Sequence, residues 1–248
     1  MRKVQWVPWW WVAAGCIGMV AMGAFVPLPP AAWVAGLGYL VVSSLLLTAG
    51  LRGEARFGPA NAVTATRSAL VGLVTALVVA SFARPVPTAL LVALVACALI
   101  LDGVDGYVAR RTGSESEIGA RFDMEVDAFL LLVLSVYDVR FVGGWVLAIG
   151  LMRYAFVVAG WMLPWMRRTL PPRYWRKVVT AACGIALAVV ASQLLPPAGS
   201  AMVAAAGLVL MLESFGRDVL WLARLNRTAL ALVSLEKAST VSPQEESR

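Results

Sequence analysis

Asp102, Asp105, Asp123 and Asp127 lie in two neighbouring apolar runs, residues 87–109 and 119–137, at the ends that face each other across a short basic stretch. A carboxylate inside a membrane-spanning run costs a few kcal/mol or more unless it is paired or holds a metal ion, so such a cluster points to function. At about 100° per residue, Asp102, Asp105, Gly106, Ala109 and Arg110 share an arc of roughly 140° on one helix, and Gly119, Asp123 and Asp127 share about 80° on the next. Antiparallel neighbours would turn these faces toward each other and make an all-oxygen cage, which suits a hard cation such as Mg²⁺ or Mn²⁺. Four carboxylates suffice for two ions about 3.5–4 Å apart, an arrangement that serves in-line displacement at phosphorus. Gly106, Ala109 and Gly119 remove bulk beside the acids, leaving room for a nucleotide or diphosphate against the backbone. Arg110 offers a planar cationic fork for phosphate oxygens. The chain has no histidine, which excludes Ser-His-Asp chemistry, a phosphohistidine and His-ligated metal.

The elements that must carry these residues are membrane helices. Of 248 residues, 60% are hydrophobic and 14% charged, with mean hydropathy +0.80; a soluble domain carries about a quarter charged residues. Apolar runs of about 20 residues span a bilayer as helices, and eight occur, at 8–27, 31–50, 61–82, 87–109, 119–137, 144–163, 178–195 and 200–222. The reading is an all-α polytopic bundle with two N-terminal helices in 1–50, a six-helix core in 51–222 and a cytoplasmic tail in 223–248, polar from about Ser239. The basic start Met1-Arg2-Lys3 resembles a signal peptide, but the apolar run that follows is long and lacks a clear cleavage site, so it reads as a retained span. With the N-terminus inside, all but Arg84, Arg140 and Arg153 of the 21 Lys and Arg fall on the cytoplasmic side. The net charge of +7 therefore reflects the positive-inside rule rather than nucleic-acid binding, and it puts both termini and the aspartates on the cytoplasmic side. Cys16, Cys97 and Cys183 lie in apolar stretches without a CxxC and read as small buried hydrophobes. The predominance of Arg over Lys hints at a GC-rich bacterial genome.

The acidic residues fill a signature completely. Asp102, Asp105, Gly106, Ala109, Arg110, Gly119, Asp123 and Asp127 read D-x2-D-G-x2-A-R-x8-G-x3-D-x3-D. The chain thereby resembles the CDP-alcohol phosphatidyltransferases over about residues 53–222; the D-x-D-x-D-G order of an EF-hand is absent. The resemblance implies that Asp102, Asp105 and Asp123 ligate metal, and that Asp127 is the general base, also beside the second ion. The acceptor hydroxyl would attack the β-phosphorus of a CDP-linked donor and release CMP. Gly106 and Arg110 would line the CDP site, with Ala109 and Gly119 beside them and Ser116 touching the diphosphate. Pro59-Ala60-Asn61-Ala62-Val63-Thr64-Ala65-Thr66-Arg67 resembles the family's P-N-x-x-T-x-x-R run with an inserted Ala, so Asn61 and Thr64 would help bind the donor. Arg176-Lys177-Val178-Val179-Thr180 resembles G-K-x-x-T, with Arg in place of Gly. The resemblance further implies CDP-diacylglycerol or another CDP-alcohol as donor, a small or lipid alcohol as acceptor, and a homodimer.

Other readings stand beside this one. The aspartates could form a structural ion-pair network with Arg110, Arg111 and Arg121. They could line a cation pathway, although that requires acids and broken helices at the bilayer midplane, or the protein could be a non-catalytic scaffold. Arg153 lies within a span, where an unpaired guanidinium is costly: it either clamps an anionic group of a substrate or pairs with Glu213 or Asp138. Glu213 and Arg217, one turn apart, read as a pair. Arg173 and Lys177 are candidates for acceptor contacts, whereas Arg167 and Arg168 read as anchors and Trp9-Trp10-Trp11 as an interfacial belt.

Overall fold

The computed structural model describes residues 7–50, 59–112, 117–168 and 173–241; side chains at 7–8, 50, 59–61, 105–112, 117–118 and 229–241 are outside the description. Among the described residues every regular element is helical. The helices are α1 (Val7–Phe25), α2 (Pro30–Gly50), α3 (Pro59–Ala80), α4 (Thr88–Thr112), α5 (Glu117–Val142), α6 (Leu147–Met162), α7 (Tyr174–Ala191) and α8 (Pro197–Val241). Eight apolar runs thus become eight helices, and the fold is a polytopic helical membrane bundle. Among the described residues, five stretches are long and apolar enough to cross a membrane: Pro30–Ala49, Ala62–Ala80, Gly144–Met162, Tyr174–Ala191 and Pro197–Thr228. Trp9–Phe25 and Thr88–Val104 are shorter, and α5 does not qualify. In α5 the reason is charge, because Arg121, Asp123, Glu125 and Asp127 interrupt its apolar pattern.

Two boundaries differ from expectation. Helix α7 begins at Tyr174 and stops at Ala191, where Ser192 and Gln193 turn the chain and Gln193 takes φ 58°. Helix α8 continues through 223–241, the start of the segment read as a tail. Between α5 and α6, Gly143 adopts φ 94° and ψ 168°, a conformation essentially restricted to glycine. It leads into a short 3-10 turn, Gly144–Val146.

The bundle is apolar outside and holds its polar groups inside. Phe25, Leu194 and Met202 are well exposed, whereas Arg67, Ser135 and Asp138 are buried. Lipid reverses the usual penalty on exposed apolar surface, and interior polar groups need partners. Helix α3 lies at the centre, packed against α1, α2, α4 and α5. Gly72 lets α2 approach α3 closely, since a Cβ there would meet the Leu40 side chain at 2.8 Å. Gly150 does the same for α6 on α5, where a Cβ would meet the Ser135 hydroxyl and the Leu132 backbone.

Polar contacts mark the two ends of the bundle. At one end Arg140 on α5 donates to Ser81 Oγ at 2.6 Å and lies over the rings of Tyr137 and Phe82, and Gln193 meets Thr88 at 3.5 Å. At the other end Arg176 Nε sits 3.0 Å from the buried Asp218, with Arg173 at 3.7 Å, and the Trp175 indole donates to Glu213 at 3.0 Å. These contacts place the starts of α3, α5 and α7 at one end with the last turns of α4, as alternating antiparallel spans require.

Candidate active site

Helix α4 supplies Asp102, and α5 supplies Asp123 and Asp127 on successive turns of one face. Their carboxylate oxygens lie within 4.8 Å of one another. The group that gathers them is Arg67 of α3, whose side chain is 1% exposed. Arg67 Nη1 bonds to Asp102. Nη2 bonds to the Asp123 carboxylate, lies 3.1 Å from Asp127 and donates to the Asp123 carbonyl at 3.2 Å. A guanidinium suits this place because its planar donors can serve several carboxylates at fixed angles. Three carboxylates against one guanidinium leave negative charge in excess.

The carboxylates remain partly open, at 31% exposure for Asp102, 20% for Asp123 and 23% for Asp127. An all-oxygen, net-negative and accessible cluster fits a hard divalent cation, and Asp102, Asp123 and Asp127 are the described residues that would hold it. Thr64, one turn before Arg67 on α3, is buried. Lys177 lies exposed in the first turn of α7, a helix that packs against α5.

A family model for CDP-alcohol phosphatidyltransferases matches residues 57–214. The chain belongs to the CDP-alcohol phosphatidyltransferase family. No curated protein and no solved structure matches it significantly. This transferase is accordingly an integral membrane enzyme of phospholipid synthesis that moves a phosphoalcohol group from a CDP-alcohol to an alcohol, in a family that uses divalent metal. The matched stretch runs from just before α3 into α8 and leaves out α1 and α2.

The remaining expected residues of the transferase are distributed as follows. Asn61, Asp105, Gly106, Ala109 and Arg110 lie on helical backbone, but nothing of their side chains is described; Ser116 is outside the described residues. Gly119 lies in the first turn of α5. Arg153 pairs with neither Glu213 nor Asp138: its partner is Glu125, between the two site aspartates in sequence but on another face of α5. Packing of α6 against α5 makes that contact, which sequence separation conceals. Glu213 does pair with Arg217, as the one-turn spacing implied. Arg173 is engaged by Asp218, while Lys177 is exposed.

Sequence reasoning missed two partners. In the sequence Arg67 reads as a cytoplasmic basic residue and as the last residue of the P-N-x-x-T-x-x-R run, not as the counterion of the aspartates. The cost of placing an Arg deep in an apolar helix could have singled it out. Asp218 is the second such partner, and an aspartate in the apolar stretch of α8 carries the same signal.

Proposed function

We propose that this enzyme transfers the phosphatidyl group of CDP-diacylglycerol to an alcohol, releasing CMP at the cytoplasmic face of a bacterial membrane. The observation that carries the proposal is the convergence of Asp102, Asp123 and Asp127 on one accessible cluster held by Arg67. Asp102, Asp105 and Asp123 would hold Mg²⁺ or Mn²⁺, with Asp127 shared by a second ion. When bound, such ions neutralise the diphosphate and acidify a nearby hydroxyl.

The chain's own residues supply orientation and proton transfer. Asn61, Thr64, Gly106, Ala109, Arg110, Ser116 and Gly119 line the donor's nucleotide and diphosphate. Asp127 accepts the proton of the acceptor hydroxyl as its oxygen forms a bond to the donor's β-phosphorus. The bond from that phosphorus to the bridging oxygen breaks, and the electron pair leaves with CMP. Lys177, exposed in the first turn of α7, is the first choice for an anionic group on the acceptor, with Arg153 and Arg173 as further contacts that must first release Glu125 and Asp218.

The test is incubation of the purified enzyme with CDP-diacylglycerol and a panel comprising glycerol phosphate, inositol, inositol phosphate, serine and phosphatidylglycerol. CMP release and the mass of the lipid product are read together. Mg²⁺- or Mn²⁺-dependent CMP release with one new lipid is the expected result. Turnover only with a soluble CDP-alcohol would replace the proposed donor, and no CMP from any donor would overturn the reaction.

A further inference from the structure

Helices α1 and α2 lie outside the stretch that matches the family, yet α2 reaches two of the three helices that build the site, α3 and α5. Tyr39 of α2 sits between α3 and α5. Its ring stacks on Phe129 of α5, with centroids 4.5 Å apart and an interplanar angle of 19°. Its hydroxyl meets Ser68 of α3 at 3.4 Å. Ser68 follows Arg67, and Phe129 lies two residues beyond Asp127. Tyr39 therefore joins the same two helices that the ion pairs from Arg67 to Asp123 and Asp127 join, at the same level of the bundle. The next residue of α2, Leu40, packs over Gly15 and Gly72, which holds α2 tightly against α1 and α3.

We propose that Tyr39 is a positioning residue for the aspartate cluster: its stacked ring sets the spacing of α3 and α5, so the N-terminal hairpin is a working part of the transferase. The proposal rests on the metal-dependent reading above. The geometry supports the ring as the main element, because the 3.4 Å contact to Ser68 is long for an O–H···O bond. A displacement of about 1 Å in an active site can cost 10²-fold in rate, so a clamp of this kind has leverage that its burial energy alone does not express.

The experiment uses the full chain in detergent. Mn²⁺ affinity is measured by electron paramagnetic resonance without substrate, alongside kcat per folded molecule and the melting temperature. Tyr39→Ala is expected to weaken Mn²⁺ binding about tenfold, equivalent to ~1.4 kcal/mol, and to lower kcat more than the donor KM. Tyr39→Phe, which keeps the ring, is expected to restore both. Trp33→Ala is the control: Trp33 packs on Gly23 in the same hairpin and should lower the melting temperature with Mn²⁺ affinity unchanged. Normal Mn²⁺ affinity and kcat in Tyr39→Ala would overturn the proposal, as would an equal loss of affinity in Trp33→Ala or in Tyr39→Phe. Because Mn²⁺ binding is read without turnover, wild-type protein that binds Mn²⁺ but releases no CMP would refute the assigned reaction while leaving the clamp testable by affinity alone.

Discussion

Arg67 has two tasks that pull in different directions. It neutralises part of a carboxylate cluster inside a membrane bundle, and it leaves enough negative charge for the cluster to attract a divalent cation. Removing one partner from a buried ion pair costs about 3–5 kcal/mol because the other charge is stranded. Arg67→Ala should therefore lower the melting temperature markedly in EDTA, and added Mg²⁺ should recover much of that loss by supplying positive charge at the same carboxylates. Melting curves with and without Mg²⁺ check this; an equal drop in both conditions would mean that metal and Arg67 do not share these ligands. For Asp123→Asn, loss of a charged oxygen should abolish Mn²⁺ affinity and CMP release together, since the chain has no histidine to substitute. Asp127→Asn should keep the fold and donor binding while losing about 10²–10⁴ in rate, the usual cost of removing a general base. Donor affinity and single-turnover rate in one preparation separate a base from a ligand.

At the level of elements, close helix approaches hold the site's spacing. A Cβ at Gly150 would collide with the Ser135 hydroxyl and would lie 3.0 Å from the Leu132 backbone nitrogen. Backbone cannot move aside as a flexible side chain can, so Gly150→Ala should push α6 off α5 and cost about 1–3 kcal/mol. The ion pair from Arg153 on α6 to Glu125 on α5 should loosen with it. A fall in melting temperature checks the first consequence. A double-mutant cycle on Arg153 and Glu125, in which their coupling shrinks in the Gly150→Ala background, checks the second. Helices α7 and α8 are tied differently, through Asp218 with Arg173 and Arg176 and through Glu213 with Trp175 and Arg217. Those ties fix the first turn of α7, which carries Lys177, against α8.

At the scale of the molecule, the bundle separates its two membrane faces by charge. The aspartate cluster, Lys177 and the paired arginines of α7 and α8 share one end, and Arg140 with its ring of aromatics closes the other. The charge asymmetry predicts that the site end is cytoplasmic. With exposed Cys97 replaced by Ser, Arg168→Cys and Leu194→Cys should react with a membrane-impermeant thiol reagent from opposite sides of intact cells, Leu194→Cys from outside. Both positions are exposed in the structure. Labelling of both from one side would contradict the eight-span path.

Much of this protein is legible without coordinates because its constraints are local or periodic. Lipid demands long apolar runs, so eight runs became eight helices. The fixed spacing of Asp102, Asp123 and Asp127 placed their side chains on the facing sides of α4 and α5 before any packing was known. What the sequence could not determine is which distant side chains meet. Arg67 is 35 residues from Asp102 and 56 from Asp123, and no periodicity links them; only the packing of α3 against α4 and α5 brings its guanidinium to both. Arg153 finds Glu125 rather than Glu213 or Asp138 because α6 packs antiparallel on α5 with Gly150 against Leu132 and Ser135, which carries Arg153 toward the start of α5. Tyr39 reaches Ser68 and Phe129, next to the site residues in sequence, because Gly15 and Gly72 let Leu40, and α2 with it, settle close to α1 and α3. Helical spacing is a property of the backbone and can be read from residue order, whereas a partner in a bundle depends on helix separation and rotation, which only the packed side chains decide.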